Sequence, residues 1–175
     1  MPRGYRRPDT AVDATMGPME IEFRPARVDE GAGAVLAQAM RDEIATVYPG
    51  VELDGPLMPK AGAAELSPPG GAFLVGWVEG QPLCCGGVKA LPDGACEIKK
   101  MYVVPDARRQ GVARRLLHAL EDEARRLGYR TARLDTGPRQ AHAKVLYASE
   151  GYVEIDDFNG NPVADYFAEK PLSGL

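Results

Sequence analysis

Apolar residues recur along this chain with two periods, and the switches between them mark the predicted elements. Glu20–Pro25 alternates polar and apolar, as a short edge strand does, and Pro25 ends it. From Asp29, placed to act as an N-cap, the residues Val35, Leu36, Ala39, Met40, Ile44 and Val47 recur at helical spacing until Pro49 and Gly50 stop the pattern. Ala72–Glu79 and Pro82–Leu91 are apolar, β-branched runs separated by Gly80 and Gln81, which reads as a hairpin. A turn at Pro92-Asp93-Gly94 leads into a third strand, Cys96–Val104. Val112, Leu116, Leu117, Leu120, Ala124 and Leu127 then form one helical stripe ended by Gly128. Arg115, Glu121, Asp122, Glu123, Arg125 and Arg126 form its opposite face, read as solvated charge pairs.

The remainder adds a short strand at Arg130–Asp135, a helix at Ala141–Ser149 ended by Gly151, and strands at Tyr152–Ile155 and Tyr166–Glu169 around a loop, Asp156–Asp165. A right-handed crossover through the Val112–Leu127 helix would make the Arg130 strand parallel to the Cys96 strand. The order predicts a single α/β domain with a mixed sheet. Pro56, Pro59, Pro68 and Pro69 make the stretch after the first helix a loop, with at most a short helix at Ala61–Leu66. Residues 1–18 are polar and aperiodic and read as a flexible tail, leaving 19–175 as the domain.

A chain of 175 residues, 45% of them hydrophobic, can bury a full core, and no apolar run is long enough to span a bilayer. The arginines near the start have no apolar segment behind them, so no signal peptide and no membrane partner is expected, and a cytoplasmic protein is the default. A net charge of −4, from 21 basic and 25 acidic residues, argues against a nucleic-acid partner. It mildly favours a cationic substrate, and serves solubility equally well. Cys84, Cys85 and Cys96 have neither disulfide nor metal spacing and sit in predicted strands as core residues. His118 and His142 are the only histidines; they read as surface or packing residues, and no metal site is expected.

The stretch with chemical character is Cys96–Ala113: a strand, a polar turn and a helix start. Unpaired N–H groups and the helix dipole favour an anion there. Gly111, lacking a Cβ, lets the backbone approach such a ligand, and Arg108, Arg109, Arg114 and Arg115 surround it. The bland counterpart is a helix cap with solvated arginines. A nucleotide-hydrolase loop would need Gly-Lys-Ser/Thr and a dinucleotide fingerprint three spaced glycines; neither is present.

The turn Arg108-Arg109-Gln110-Gly111-Val112-Ala113 resembles the acetyl-CoA pyrophosphate loop of the Gcn5-related N-acetyltransferases, Gln/Arg-x-x-Gly-x-Gly/Ala. EIKKMYV before it is similar to that family's central strand, and LYASEGY to its closing helix and turn, so the resemblance runs from about Glu20 to Lys170. It implies a mostly antiparallel mixed sheet with helices on both faces and a splayed parallel strand pair at the CoA site. It also implies acetyl-CoA as acyl donor and direct transfer to a primary amine of a small molecule or peptide. Cofactor contacts carried over are the loop residues 108–113 with Arg114, and the backbone of Met101, Tyr102 and Val103, which would pair with pantetheine and the thioester carbonyl.

The same resemblance implies two catalytic side chains. Glu97, fourteen residues before Gly111, takes the place of the general base that deprotonates the amine, directly or through water. Read without it, Glu97 is a strand carboxylate paired with Lys99 or Lys89. Tyr147, in Leu146-Tyr147 ahead of Gly151-Tyr152, takes the place of the acid that protonates the departing thiolate; its bland counterpart packs the pantetheine channel. Gln140 stands seven positions before that tyrosine, where the family commonly has asparagine. Glu43, Tyr48, Glu52 and Asp54 are candidates to line the acceptor pocket. Alternative functions are a non-catalytic acyl-CoA-binding module or the same fold with a longer acyl-CoA, and the final strands could pair in a homodimer.

Overall fold

The computed structural model describes residues 19–173, so the expected tail lies outside the described residues. Seven strands and three α-helices follow one another as β1 (Glu22–Pro25), α1 (Gly31–Val47), β2 (Ala72–Val78), β3 (Gln81–Ala90), β4 (Cys96–Val103), α2 (Val112–Arg126), β5 (Thr131–Thr136), α3 (Ala141–Ser149), β6 (Val153–Glu154) and β7 (Tyr166–Pro171). One sheet contains every strand in the order β1-β2-β3-β4-β5-β7-β6. All neighbours are antiparallel except β4 and β5, which the α2 crossover makes parallel.

Two cores divide the helices between the faces of the sheet. Leu116, Leu117, Leu120 and Ala124 of α2 pack with Tyr147 of α3 and with Cys84, Ile98, Ala132 and Leu134 of the strands. Leu36 and Met40 of α1 pack on the other face against Phe73, Val75, Cys85 and Tyr102. The alternation of burial along β5 is the period of two expected of a strand with different environments on its faces.

Several details differ from the sequence expectation. Asp29 does not cap α1, because both its oxygens are held by Arg27 at 2.8 and 3.0 Å and Glu30 takes the cap position. Residues 61–66 form turns with a bond from Leu66 N–H to Gly62 O at 3.0 Å, and Leu66 is buried against Phe73 as an anchor for the loop. Glu121 is buried, not solvated. β7 is paired on both sides, so the outer edge at that end of the sheet belongs to the two-residue β6.

Candidate active site

β4 and β5 pair only at Cys96↔Ala132 and Glu97↔Arg133, and beyond Glu97 they part. A bulge in β4 accompanies the parting: its register with β3 slips between Gly87↔Lys99 and Cys85↔Tyr102, and Lys100 takes a left-handed φ of 55°. Backbone groups alternate in direction along a strand. Val104 N–H bonds Leu83 O of β3 at 2.9 Å, so Tyr102 likewise turns its backbone to β3, while Met101 and Val103 face the gap. Of the three strand residues expected to offer backbone groups, these two are placed to do so. Tyr102 instead lays its ring on the α1 face, with the Arg108 guanidinium 5.7 Å from the ring centre.

At the mouth of the gap, residues 109–114 present N–H groups that find no backbone or side-chain acceptor among the described residues. Gly111 makes the cradle possible, with φ 74° and open space within 4 Å of where a Cβ would stand. The surrounding arginines separate in role. Arg108 is drawn to Glu43 Oε2 at 2.6 Å and to Val103 O at 2.9 Å. Arg114 binds Glu150 and Ser149, and Arg115 binds Met19 O. Arg109, exposed and left-handed at φ 62°, has no side-chain partner among the described residues, and Gln110 bonds Asp106 O at 3.0 Å. Open N–H groups, an exposed guanidinium without a partner among the described residues and a cleft between strands fit the diphosphate and pantetheine of CoA.

Glu97 sits where the strands part and is fully buried. Its Oε1 accepts from Asn159 Nδ2 at 2.8 Å and lies 3.0 Å from Lys99 Nζ, whereas Oε2 has no partner among the described residues. Asp135 of β5 completes the cluster, its Oδ2 accepting from Asn159 and Asn161 at 2.8 and 3.0 Å and lying 3.6 Å from Lys99 Nζ. Burial works to lower the Lys99 pKa, but Asp135 and then Glu97 more than reverse it and hold the ammonium above its usual value. The bland expectation of a Lys99 pair is therefore met, and that of a Lys89 pair is not, since Lys89 Nζ bonds Lys60 O at 2.5 Å. Asp135, Asn159 and Asn161 were invisible as site residues in the sequence; the only signal was the turn-forming run Asp157, Asn159, Gly160, Asn161.

On the other side of the sheet, Tyr147 is buried with its hydroxyl 3.8 Å from Met101 Sδ, at the strand edge that faces the gap. Burial first, then the charges of Asp135 and Tyr166, push its pKa well above that of a free phenol. Gln140 occupies the N-cap position of α3 without a side-chain capping bond and accepts from Thr136 Oγ1 at 3.1 Å, which ties its amide oxygen to β5.

Among the acceptor candidates, Glu43 and Asp54 are ion-paired with Arg108 and Arg41. Tyr48 instead lines a surface pocket of about 330 Å³ with Pro49, Val51, Pro138, Arg139 and Val163. His118 binds Glu150, and His142 is exposed. No group of metal-binding side chains occurs among the described residues, and no helix among them is long and apolar enough to cross a membrane.

The profile of the acetyltransferase (GNAT) family matches residues 37–152. The chain belongs to that family. It is an acyltransferase dependent on acetyl-CoA. An IAA acetyltransferase of Azospirillum brasilense is 37% identical over 110 residues, 61% of this chain and 72% of that protein. A Klebsiella pneumoniae structure, provisionally assigned as an acyl-CoA N-acyltransferase, is 26% identical with a TM-score of 0.71, covering 87% of this chain and 98% of that one. A GNAT family acetyltransferase of Elizabethkingia anophelis, solved with acetyl-CoA bound, shares the fold at 15% identity and a TM-score of 0.61, over 86% of this chain and 97% of that one.

Proposed function

We propose that this acetyltransferase transfers the acetyl group directly to a primary amine of a small molecule or peptide, with Glu97 as base and Tyr147 as acid. The observation that carries the reading is the Glu97 carboxylate, buried where β4 and β5 part, with one oxygen anchored and the other without a partner among the described residues. A buried carboxylate with a free oxygen can take a proton from the acceptor's ammonium, directly or through one water, and so free the neutral amine to attack the thioester carbonyl.

Acetyl-CoA supplies the activated carbonyl and a thiolate leaving group. The cradle at residues 109–114, with Arg109 beside it, holds the diphosphate, and the backbone of Met101 and Val103 holds pantetheine and faces the thioester oxygen as the tetrahedral carbon forms. Gln140, anchored through Thr136, closes the cofactor side at the start of α3. Tyr147 keeps its proton through neutral pH because burial and Asp135 oppose its ionisation, so its phenol is available to protonate the thiolate. Three free, buried cysteines suit a reducing cytoplasm.

Incubation with acetyl-CoA and a pooled panel of amines, amino acids and peptides, with IAA included because of the Azospirillum relative's name, would be followed by mass spectrometry. An acetylated amine is the expected product. Acetylation of IAA alone, with every amine untouched, would overturn the amine acceptor.

A further inference from the structure

The side chains that face the Glu97 carboxylate come from three elements: Lys99 from β4, Asp135 from β5, and Asn159 from the loop between β6 and β7. Its ladder partners carry their charges elsewhere. Lys89 on β3 is drawn to Lys60 O, and Arg133 on β5 is held by Asp93 at 2.6 Å and Glu169 at 3.0 Å.

Asn159 is the member of this group with every side-chain polar atom committed. Its Nδ2 donates to Glu97 Oε1 and to Asp135 Oδ2, both at 2.8 Å, which uses both amide hydrogens. Its Oδ1 accepts from Asn161 N–H at 3.0 Å. Asp157 folds the loop under it by accepting from Asn159 N–H at 3.0 Å and Gly160 N–H at 2.7 Å, and Asn161 Oδ1 accepts from Val163 N–H at 3.1 Å. Val163 in turn lines the pocket beside Tyr48 and Arg139. One loop therefore reaches from the pocket wall to the buried carboxylate.

We infer that Asn159 is a positioning residue for the base: by holding Oε1 it fixes the Glu97 carboxylate so that Oε2 alone is left to receive the amine's proton. The inference rests on the reading of Glu97 as base. A rotating carboxylate would expose either oxygen and spend part of its time bonded to Lys99 in the wrong orientation. The bridge to Asp135 also keeps two carboxylates and the Lys99 ammonium in one fixed arrangement, so the loop's position at the pocket and the base's alignment are set together.

Asn159→Asp separates this role from loop structure. The aspartate keeps an oxygen to accept from Asn161 N–H, but loses both donations and sets a third carboxylate against Glu97 and Asp135. The expected result is a fall in kcat of about tenfold or more, as for loss of hydrogen bonds to a charged group. The acidic limb of the pH–rate profile should move to higher pH, because a third negative charge disfavours the ionised base. The KM for acetyl-CoA should stay within about twofold, since the donor contacts lie on the other strand edge and loop. Asn159→Ala carries the same kcat test if the aspartate variant unfolds at the assay temperature.

Glu97→Gln is run beside them. An inactive Glu97→Gln with Asn159→Asp and Asn159→Ala turning over normally, or losing only acetyl-CoA affinity, would overturn the role of Asn159 and leave the base in place. Normal turnover in Glu97→Gln would remove the base, and the positioning role with it.

Discussion

Lys170 Nζ lies 2.9 Å from each carboxylate oxygen of Glu121, across 49 residues of sequence, and Glu121 is buried inside the charged face of α2. Tyr152 adds a hydrogen bond at 3.0 Å, while Arg125 remains 3.8 Å away. Removing one partner of a buried pair strands the other charge, so Lys170→Met should cost about 3–5 kcal/mol. Converting the carboxylate to an amide as well, in Glu121→Gln/Lys170→Met, should recover much of that loss. Urea unfolding of the two variants checks this, and a Lys170→Met loss below about 1 kcal/mol would mean the pair is solvated in solution.

Glu121 also shows where sequence reading stops. The stripe of Val112, Leu116, Leu117 and Leu120 identified α2 by period alone, and the charges opposite it looked solvated because nothing local distinguishes Glu121 from Asp122. Its partner is a strand residue that only the sheet order brings near. The same limit hid Asp135, Asn159 and Asn161, whose meeting with Glu97 depends on a loop folding over a strand gap. The gap itself was implied by resemblance, but the Lys100 bulge was not legible, since lysine is no signal for positive φ. The left-handed turn at Gly111 was legible from the local run of turn and helix start, whereas Tyr147 entered as a candidate only through the family resemblance.

Gly111→Glu should abolish donor binding with little effect on the fold. Open space surrounds the Cβ position, so the folding cost is the left-handed strain of a side chain at φ 74°, about 1–2 kcal/mol. A carboxylate within about 4 Å of a phosphate should weaken CoA by roughly 100-fold or more. Calorimetric titration with CoA alongside a melting curve separates the effects. An affinity like that of the wild type would move the diphosphate elsewhere.

Tyr147→Phe removes only a hydroxyl whose protein contact is Met101 Sδ at 3.8 Å, so packing and the pantetheine side of the gap should persist. Turnover should fall about 100-fold, the loss typical of a proton donor, with the KM for acetyl-CoA nearly unchanged. Because burial, Asp135 and Tyr166 all raise the phenol's pKa, its proton should be retained well past neutral pH, and the wild-type rate should show no alkaline loss from this group near pH 8. Unchanged kcat in the variant would take Tyr147 out of the reaction.

Burial pushes the Cys84 thiol from 9.0 up to about 11, and those of Cys85 and Cys96 up to about 12. The folded state thus holds protons that the unfolded state gives up above pH 9. Their contribution is fully present below pH 9 and is lost as pH rises toward the folded values, at about 1.4 kcal/mol per pH unit for each ionising thiol. Denaturant unfolding at pH 8, 9.5 and 10.5 should show this decline, and at pH 8 a thiol reagent should label the cysteines only after unfolding. Rapid labelling of the folded protein would contradict their burial.

Gly137 stands two residues after Asp135 and next to Pro138 of the pocket lining, and a Cβ there would fall 2.2 Å from Tyr48 Oη and 2.8 Å from Val163 O. The Tyr48 hydroxyl is already fixed by Arg139 N–H at 3.0 Å, and the Arg139 guanidinium bonds Val47 O at 2.6 Å, so the phenol has no easy retreat. Gly137→Ala must therefore push the end of α1 away from the β6–β7 loop, at an overpacking cost of about 1–3 kcal/mol. That widens the pocket wall and pulls on the segment that carries Asn159, while the cradle at residues 109–114 lies on the other side of the gap. The KM for the acceptor should rise several-fold as the melting temperature drops, with a smaller rise in the KM for acetyl-CoA, because Gln140 N–H bonds Gly137 O at 3.1 Å. Equal shifts in both KM values would instead mean that the substitution loosens the whole sheet, and would sever the pocket from acceptor binding.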